Sequence, residues 1–127
     1  MARIFITGSA DGLGQMPARS LNAQGHKVVL HARNEERAEH CRANGPAGAA
    51  VVVGDLGSLS GTRDLAAAAR EVGPPDVVVH NAGWSSPDAT RPVTDDGLER
   101  TFQVNTLAPY LLTALLPLPD RLVLVSS

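Results

Sequence analysis

Three glycines, Gly8, Gly12 and Gly14, fall within ITGSADGLG (6–14), directly after the apolar run RIFIT. A glycine permits a turn that a Cβ would obstruct, and others let backbone amides approach a phosphate. A helix opening after the turn presents its positive end to that charge. No Gly-Lys-Ser or Gly-Lys-Thr follows, so this is not a turn for nucleoside triphosphates. A second small-residue turn, HNAGW (80–84), offers Asn81, Ala82 and Gly83. In GDLG (54–57), Asp55 beside Leu56 could accept a hydrogen bond from an exocyclic amine such as that of adenine. In HARN (31–34), Ala32 stands where many dinucleotide sites carry an acid for the ribose 2′-hydroxyl, and Arg33 follows it. A guanidinium attracts a 2′-phosphate and can bond it at two points, which favours NADP over NAD. Asp11, inside the glycine turn, adds negative charge against that preference. Each residue also has a plain local reading: a loop-ordering Asn81, a turn aspartate, a solvated strand-end arginine.

The elements that must carry these groups are legible in the apolar pattern. Short runs, mostly β-branched, occupy 3–7, 27–31, 49–54, 76–80 and 121–125. They are nearly continuous rather than alternating, as in strands covered on both faces of a parallel sheet. Helical segments are expected at 14–24, 34–43, 60–72 and 95–116. Met16, Ala18 and Leu21 mark the buried side of the first, with Pro17 in its opening turn and Gly25 after its end. Asn34, Ser60 and Thr94 are the expected starts of the other three. Phe102, Leu107, Leu111 and Leu115 would be the inner face of the last helix, which Pro109 should kink or divide.

Alternating strands and helices define an α/β fold, a doubly wound parallel sheet of Rossmann-like type in three αβα layers. The expected strand order is 3-2-1-4-5, with two helices on each face and a switch point between strands one and four. The glycine turn and HNAGW then flank one crevice, suited to a flat, extended ligand. Residues 1–127 read as one dinucleotide-binding domain.

Composition narrows the class further. The chain has 127 residues, a net charge of −2 and 3% aromatic residues, which does not suggest a nucleic-acid or anionic-membrane partner. Its single cysteine, Cys41, allows no intrachain disulfide and no cysteine-rich metal site, and no metal is expected. No apolar run approaches the ~20 residues that span a bilayer, and the start does not read as a signal peptide. The expectation is a soluble, cytoplasmic protein.

The pieces TGSADGLG, GDL, HNAG, FQVNTLAPY and LVLVSS, in that order, make the chain similar to the short-chain dehydrogenase/reductase family across nearly its whole length. The stretch TDDGLERTFQVN most resembles retinol-dehydrogenase-like members. The resemblance implies NADP(H)-dependent hydride transfer between an alcohol and a carbonyl, with NAD the lesser candidate. Gly8, Ser9, Asp11, Gly12, Leu13 and Gly14 would form the pyrophosphate turn. Asp55 and Leu56 would contact adenine, and Asn81, Ala82 and Gly83 would border the adenosine ribose. Asn105 matches the asparagine that holds a proton-relay water; its local alternative is to bend or cap the helix. Ser127 matches the catalytic serine that hydrogen-bonds the substrate oxygen.

The family's acid/base pair, Tyr-x-x-x-Lys, has no match. The only tyrosine is Tyr110 and the only lysine is Lys27. A phenol near its ordinary pKa of ~10 is a poor base at neutral pH without a nearby lysine. The chain therefore reads as the N-terminal part of a longer single-domain enzyme, inactive by itself. A homo-oligomer or a complementing C-terminal segment is expected. The alternative is a non-catalytic dinucleotide-binding or interaction module that offers its open edge, Leu122 to Val125, to a partner strand. His80 reads as a strand-end histidine rather than a base, and Trp84 as a partly buried structural indole.

Overall fold

Five apolar runs of four to six residues pair in parallel, and apolar side chains on the first four find cover on both faces. The computed structural model describes residues 1–10 and 12–126. The chain order is β1 (Arg3–Ile6), α1 (Gly12–Ala23), β2 (Lys27–Ala32), α2 (Glu35–Asn44), β3 (Ala50–Val53), α3 (Leu59–Val72) and β4 (Val77–His80). Then come α4 (Arg100–Phe102), a π-helical segment (Gln103–Leu107), α5 (Ala108–Leu115) and β5 (Arg121–Leu124). The sheet order is β3-β2-β1-β4-β5, as the alternation implied. Phe5 on the central strand is level with Val29 on one side and Val78 on the other.

Strand alternation divides the core into two layers. Phe5, Val29, Val52 and Val78 pack with Leu65, Ala66 and Ala69 of α3 and with Val104, Ala108 and Leu112. Ile4, Ile6, Val28 and Leu30 pack with Ala18 of α1 and with Ala38 and Cys41 of α2. Two helical elements thus cover each face. Strand β5 lies at the edge and pairs only with β4; Leu124 is 66% exposed.

Side-chain caps set several of the helix ends. Asn34 caps α2, its side chain accepting from the Arg37 amide. Helix α3 starts one residue before the expected Ser60, because Ser58 rather than Ser60 accepts from the Gly61 amide. Helix α1 starts at Gly12, so Pro17 lies in its second turn and cannot donate to the Leu13 carbonyl. Met16 is exposed; Gly14 and Ala18 are the buried residues there.

The last helical region departs most. It starts at Arg100, not 95, with Glu99 as its cap, accepting from the Phe102 amide. Residues 94–98 instead close a tight turn: the Thr94 amide donates to the Leu98 carbonyl, and Gly97 sits at φ +78°. An antiparallel bridge between Val93 and Glu99 flanks that turn. Pro109 acts one turn upstream. Lacking an N–H, it leaves the Asn105 carbonyl without its α-helical donor, and the Ala108 amide bonds Gln103 across a wider ring. The inner face becomes Gln103, Val104, Ala108, Leu112 and Leu116. Leu107, Leu111 and Leu115 are half-buried and Phe102 is exposed, so the expected face was misplaced.

Leu65 is fully buried and Leu118 is 92% exposed. Leu65→Ala should cost about 2–5 kcal/mol, whereas Leu118→Ala should stay within about 0.5 kcal/mol. Urea denaturation of both variants measures the contrast.

Candidate functional site

The site begins at Thr7, where β1 ends. Its buried hydroxyl oxygen accepts from the backbone amides of Asn81 and Ala82, each at 3.0 Å, at the end of β4. The Asn81 amide nitrogen returns two bonds, to the carbonyls of Thr7 (3.2 Å) and Gly8 (3.3 Å). This tie draws the glycine turn hard against the neighbouring strand end. A Cβ on Gly8 would lie 2.8 Å from the Ala82 Cα, and the backbone there is left-handed at φ +64°. A Cβ on Gly14 would lie 2.6 Å from the Asn81 side-chain nitrogen, and closer still to the Gly8 carbonyl. These two glycines are required by space.

From the other side β2 holds the same turn. The Gly8 amide donates to His31 Nδ1 at 2.9 Å, and His31 Nε2 lies 2.7 Å from the Gly54 carbonyl at the end of β3. The Ser9 hydroxyl donates to the Ile6 carbonyl (2.6 Å) and accepts from the His31 amide (2.9 Å). Burial holds the His31 imidazole below the ordinary histidine value, against the opposing pull of the Gly54 bond and the Asp55 charge.

Beyond Gly54, Asp55 Oδ1 accepts from the Gly57 amide at 2.8 Å, an Asx turn that leads to the Ser58 cap. Leu56 is buried beside it. These turns enclose a cavity of about 490 Å³. Gly8, Gly12, Leu13 and Gly14 form one wall, and Asn81, Ala82 and Gly83 another. Asp55, Leu56, His31 and Arg33 line the side toward β2 and β3, joined by Arg37 of α2.

Ten of the residues singled out in the sequence therefore share one cavity. Ser9 does not line it: it is fully buried, and its hydroxyl holds the turn from beneath. Asn105 sits in the π segment, where its side chain clasps the Trp84 backbone, accepting from the amide (2.8 Å) and donating to the carbonyl (2.9 Å). That ties the helix to the loop after β4, which differs from the bend or cap of its local alternative. Asp11 and Ser127 lie outside the described residues.

Trp84 both packs on the core and lines the cavity, with the Arg100 guanidinium 4.8 Å from its ring centre. His80 is buried. Its Nε2 is 3.2 Å from the Thr113 hydroxyl, which donates to the Pro109 carbonyl, and burial holds the imidazole below its ordinary value. Thr7, His31, Arg37, Arg100 and Val104 were not singled out. Of these, His31 carried a signal, a lone imidazole at the end of an otherwise apolar strand.

A family model for short chain dehydrogenases matches residues 2–119, and the chain belongs to that family. Among its relatives is an uncharacterized oxidoreductase of Emericella nidulans, 50% identical over 129 residues, covering all of this chain and 51% of the relative. A short-chain dehydrogenase of Penicillium rubens is 45% identical over 127 residues, covering all of this chain and 48% of that one. The chain spans about half the length of the curated relatives it matches. A blue fluorescent protein from a metagenomic library, solved in complex with NADPH, superposes with a TM-score of 0.78 at 26% identity. That match covers 99% of this chain and 56% of the solved one. The fold and the family agree.

Two buried histidines with lowered pKa values give stability a definite acid limit. The unfolded chain, with imidazoles near 6.5, binds protons that the folded form refuses. Stability is therefore full above that value and falls as pH drops below it, by at most about 1.4 kcal/mol per pH unit for each histidine. Urea midpoints should decline between pH 7.5 and 5.5, above the carboxylate range, and His80→Asn should lessen the decline.

Proposed function

We propose that residues 1–127 form the NADP(H)-binding part of an oxidoreductase that interconverts an alcohol and a carbonyl on a small molecule. The observation that carries this reading is the meeting of the glycine turn, Asp55-Leu56 and Asn81-Ala82-Gly83 around one cavity, with Arg33 on its wall. The cradle fits such a group chemically: its floor is backbone and glycine where a Cβ would collide, and α1 opens onto it.

A bound nicotinamide dinucleotide would give or take the hydride. In this reading the backbone amides from Gly12 to Gly14 hold the pyrophosphate. Asp55 keeps Oδ2 for an exocyclic amine, since Oδ1 is taken by Gly57. Leu56 packs against the adenine, and Asn81, Ala82 and Gly83 border the ribose. Arg33, exposed at the end of β2, binds the 2′-phosphate. Ser127 orients the substrate oxygen, and Asn105 serves the proton path while it holds the Trp84 loop. NADPH in the solved relative supports the choice of NADP over NAD.

Tyr110 is 69% exposed on α5, and Lys27 opens β2 at the opposite end of the sheet from the cavity. Neither supplies an acid/base group at the site. A polypeptide of these 127 residues should bind dinucleotide without turnover, and the relatives' greater length supports reading it as part of a longer domain. A homo-oligomer or a complementing C-terminal segment, and a cytoplasmic location, belong to the same proposal.

Arg33→Ala should weaken NADP⁺ binding about 10- to 100-fold and leave NAD⁺ within about 2-fold, read by titration calorimetry. An equal loss for both cofactors would refute the 2′-phosphate assignment. In the enzyme with its acid/base segment, Ser127→Ala should lower kcat on the order of 100-fold or more on a carbonyl substrate. Full turnover by that variant would remove Ser127 from the chemistry.

A further inference from the structure

His31 joins the two halves of the cradle. On one side it receives the Gly8 amide at Nδ1; on the other its Nε2 meets the Gly54 carbonyl, one residue before Asp55. The chemistry of the partners determines its form. A backbone N–H can only donate, so Nδ1 carries no proton; a carbonyl can only accept, so Nε2 carries one. One neutral tautomer satisfies both bonds, and no other form does. A second proton on Nδ1 would set N–H against N–H at the turn, where 2.9 Å now separates the two nitrogens. The turn has little room to yield, because on its far side Gly8 is already against the Ala82 backbone.

We propose that His31 is a positioning residue for the dinucleotide: neutral, it locks the glycine turn to the adenine loop, and protonated, it releases that lock and weakens binding. This rests on the cavity being a dinucleotide site. His31 also lines the cavity, so its charge state acts at the ligand's edge. Among the described residues, the charged group that acts on it is Asp55, just after β3, and the charged groups that share its cavity are Arg33 after its own strand, Arg37 of α2 and Arg100 of α4. The carboxylate favours protonation. Among the described residues, the turn meets His31 through Gly8 and Ser9, which are neutral. Burial further favours the neutral ring.

The test measures NADP⁺ binding by calorimetry from pH 8.0 to 5.5, comparing the full chain with its His31→Gln variant. A glutamine side chain offers both an acceptor and a donor but does not titrate. Using one ligand throughout cancels the titration of its own phosphates. The wild-type to variant ratio of Kd should rise at least about 5-fold as pH falls, with the change centred below pH 6.5. A ratio that stays flat, or falls, overturns the proposal. Ring ¹⁵N spectra of the wild-type protein provide a second measurement that does not depend on the variant folding. They should show the Nε2–H tautomer at pH 7.5. By linkage, saturating NADP⁺ should lower the His31 pKa by at least about 0.7, the equivalent of a 5-fold coupling. The ligand's negative charge alone would raise it, so an unchanged or raised value also overturns the proposal. Absence of NADP⁺ binding at pH 8.0 would defeat the dinucleotide reading and this inference with it. Binding at pH 8.0 with a flat ratio would defeat only the inference.

Discussion

The contact on which the site depends is the approach of the Gly8 turn to the Ala82 backbone. Two amides, from Asn81 and Ala82, converge on one buried hydroxyl oxygen at Thr7. Without that acceptor, two donors at the end of β4 would lose their partner in a partly buried place. With it, the ends of β1 and β4 close to a separation that only glycine tolerates. The cavity exists because the chain leaves this switch point in opposite directions, toward α1 and toward the Trp84 loop. Every other wall is an extension of it. Asn81 braces Gly8 from the β4 side, and His31 braces it from the β2 side.

The architecture was visible in the sequence because it rests on patterns that act locally or by period. Continuous β-branched runs can settle only where both faces are covered, which places them in a parallel sheet with helices on either side. Asn34 was readable because its capping bond reaches only three residues ahead. The last helical region was harder, since two effects there compete with periodicity. Asp95-Asp96-Gly97 favours a tight turn, and the buried Gln103 side chain secures it through Thr94 and Asp96. Leucines at 107, 111 and 115 mark the expected inner face, with a kink or break at Pro109; the missing N–H of that proline instead goes with a π turn, and the buried stripe is Val104, Ala108 and Leu112.

The site divides in the same way. Glycines, Asp55 and Asn81 stood out because their residue types are unusual at the ends of apolar runs. Arg37 and Arg100 looked like ordinary helical surface charges, and only the fold brings them to the cavity beside Arg33 and Trp84. His31 and Ser9 show the converse. Both lie within the recognised motifs, yet their polar atoms hold the turn from behind. Ser9 does so without reaching the cavity wall, whereas His31 also lines it.

The bond from Asn81 to Thr7 spans 74 residues of chain. Contacts so distant in sequence close large loops and tend to form after local structure. The first β-α-β unit can therefore form with its glycine turn braced from the β2 side alone, and the second brace comes only when β4 pairs with β1. The wall that closes the cavity is thus completed by the end of the fourth strand, 74 residues further along the chain than the strand end it faces.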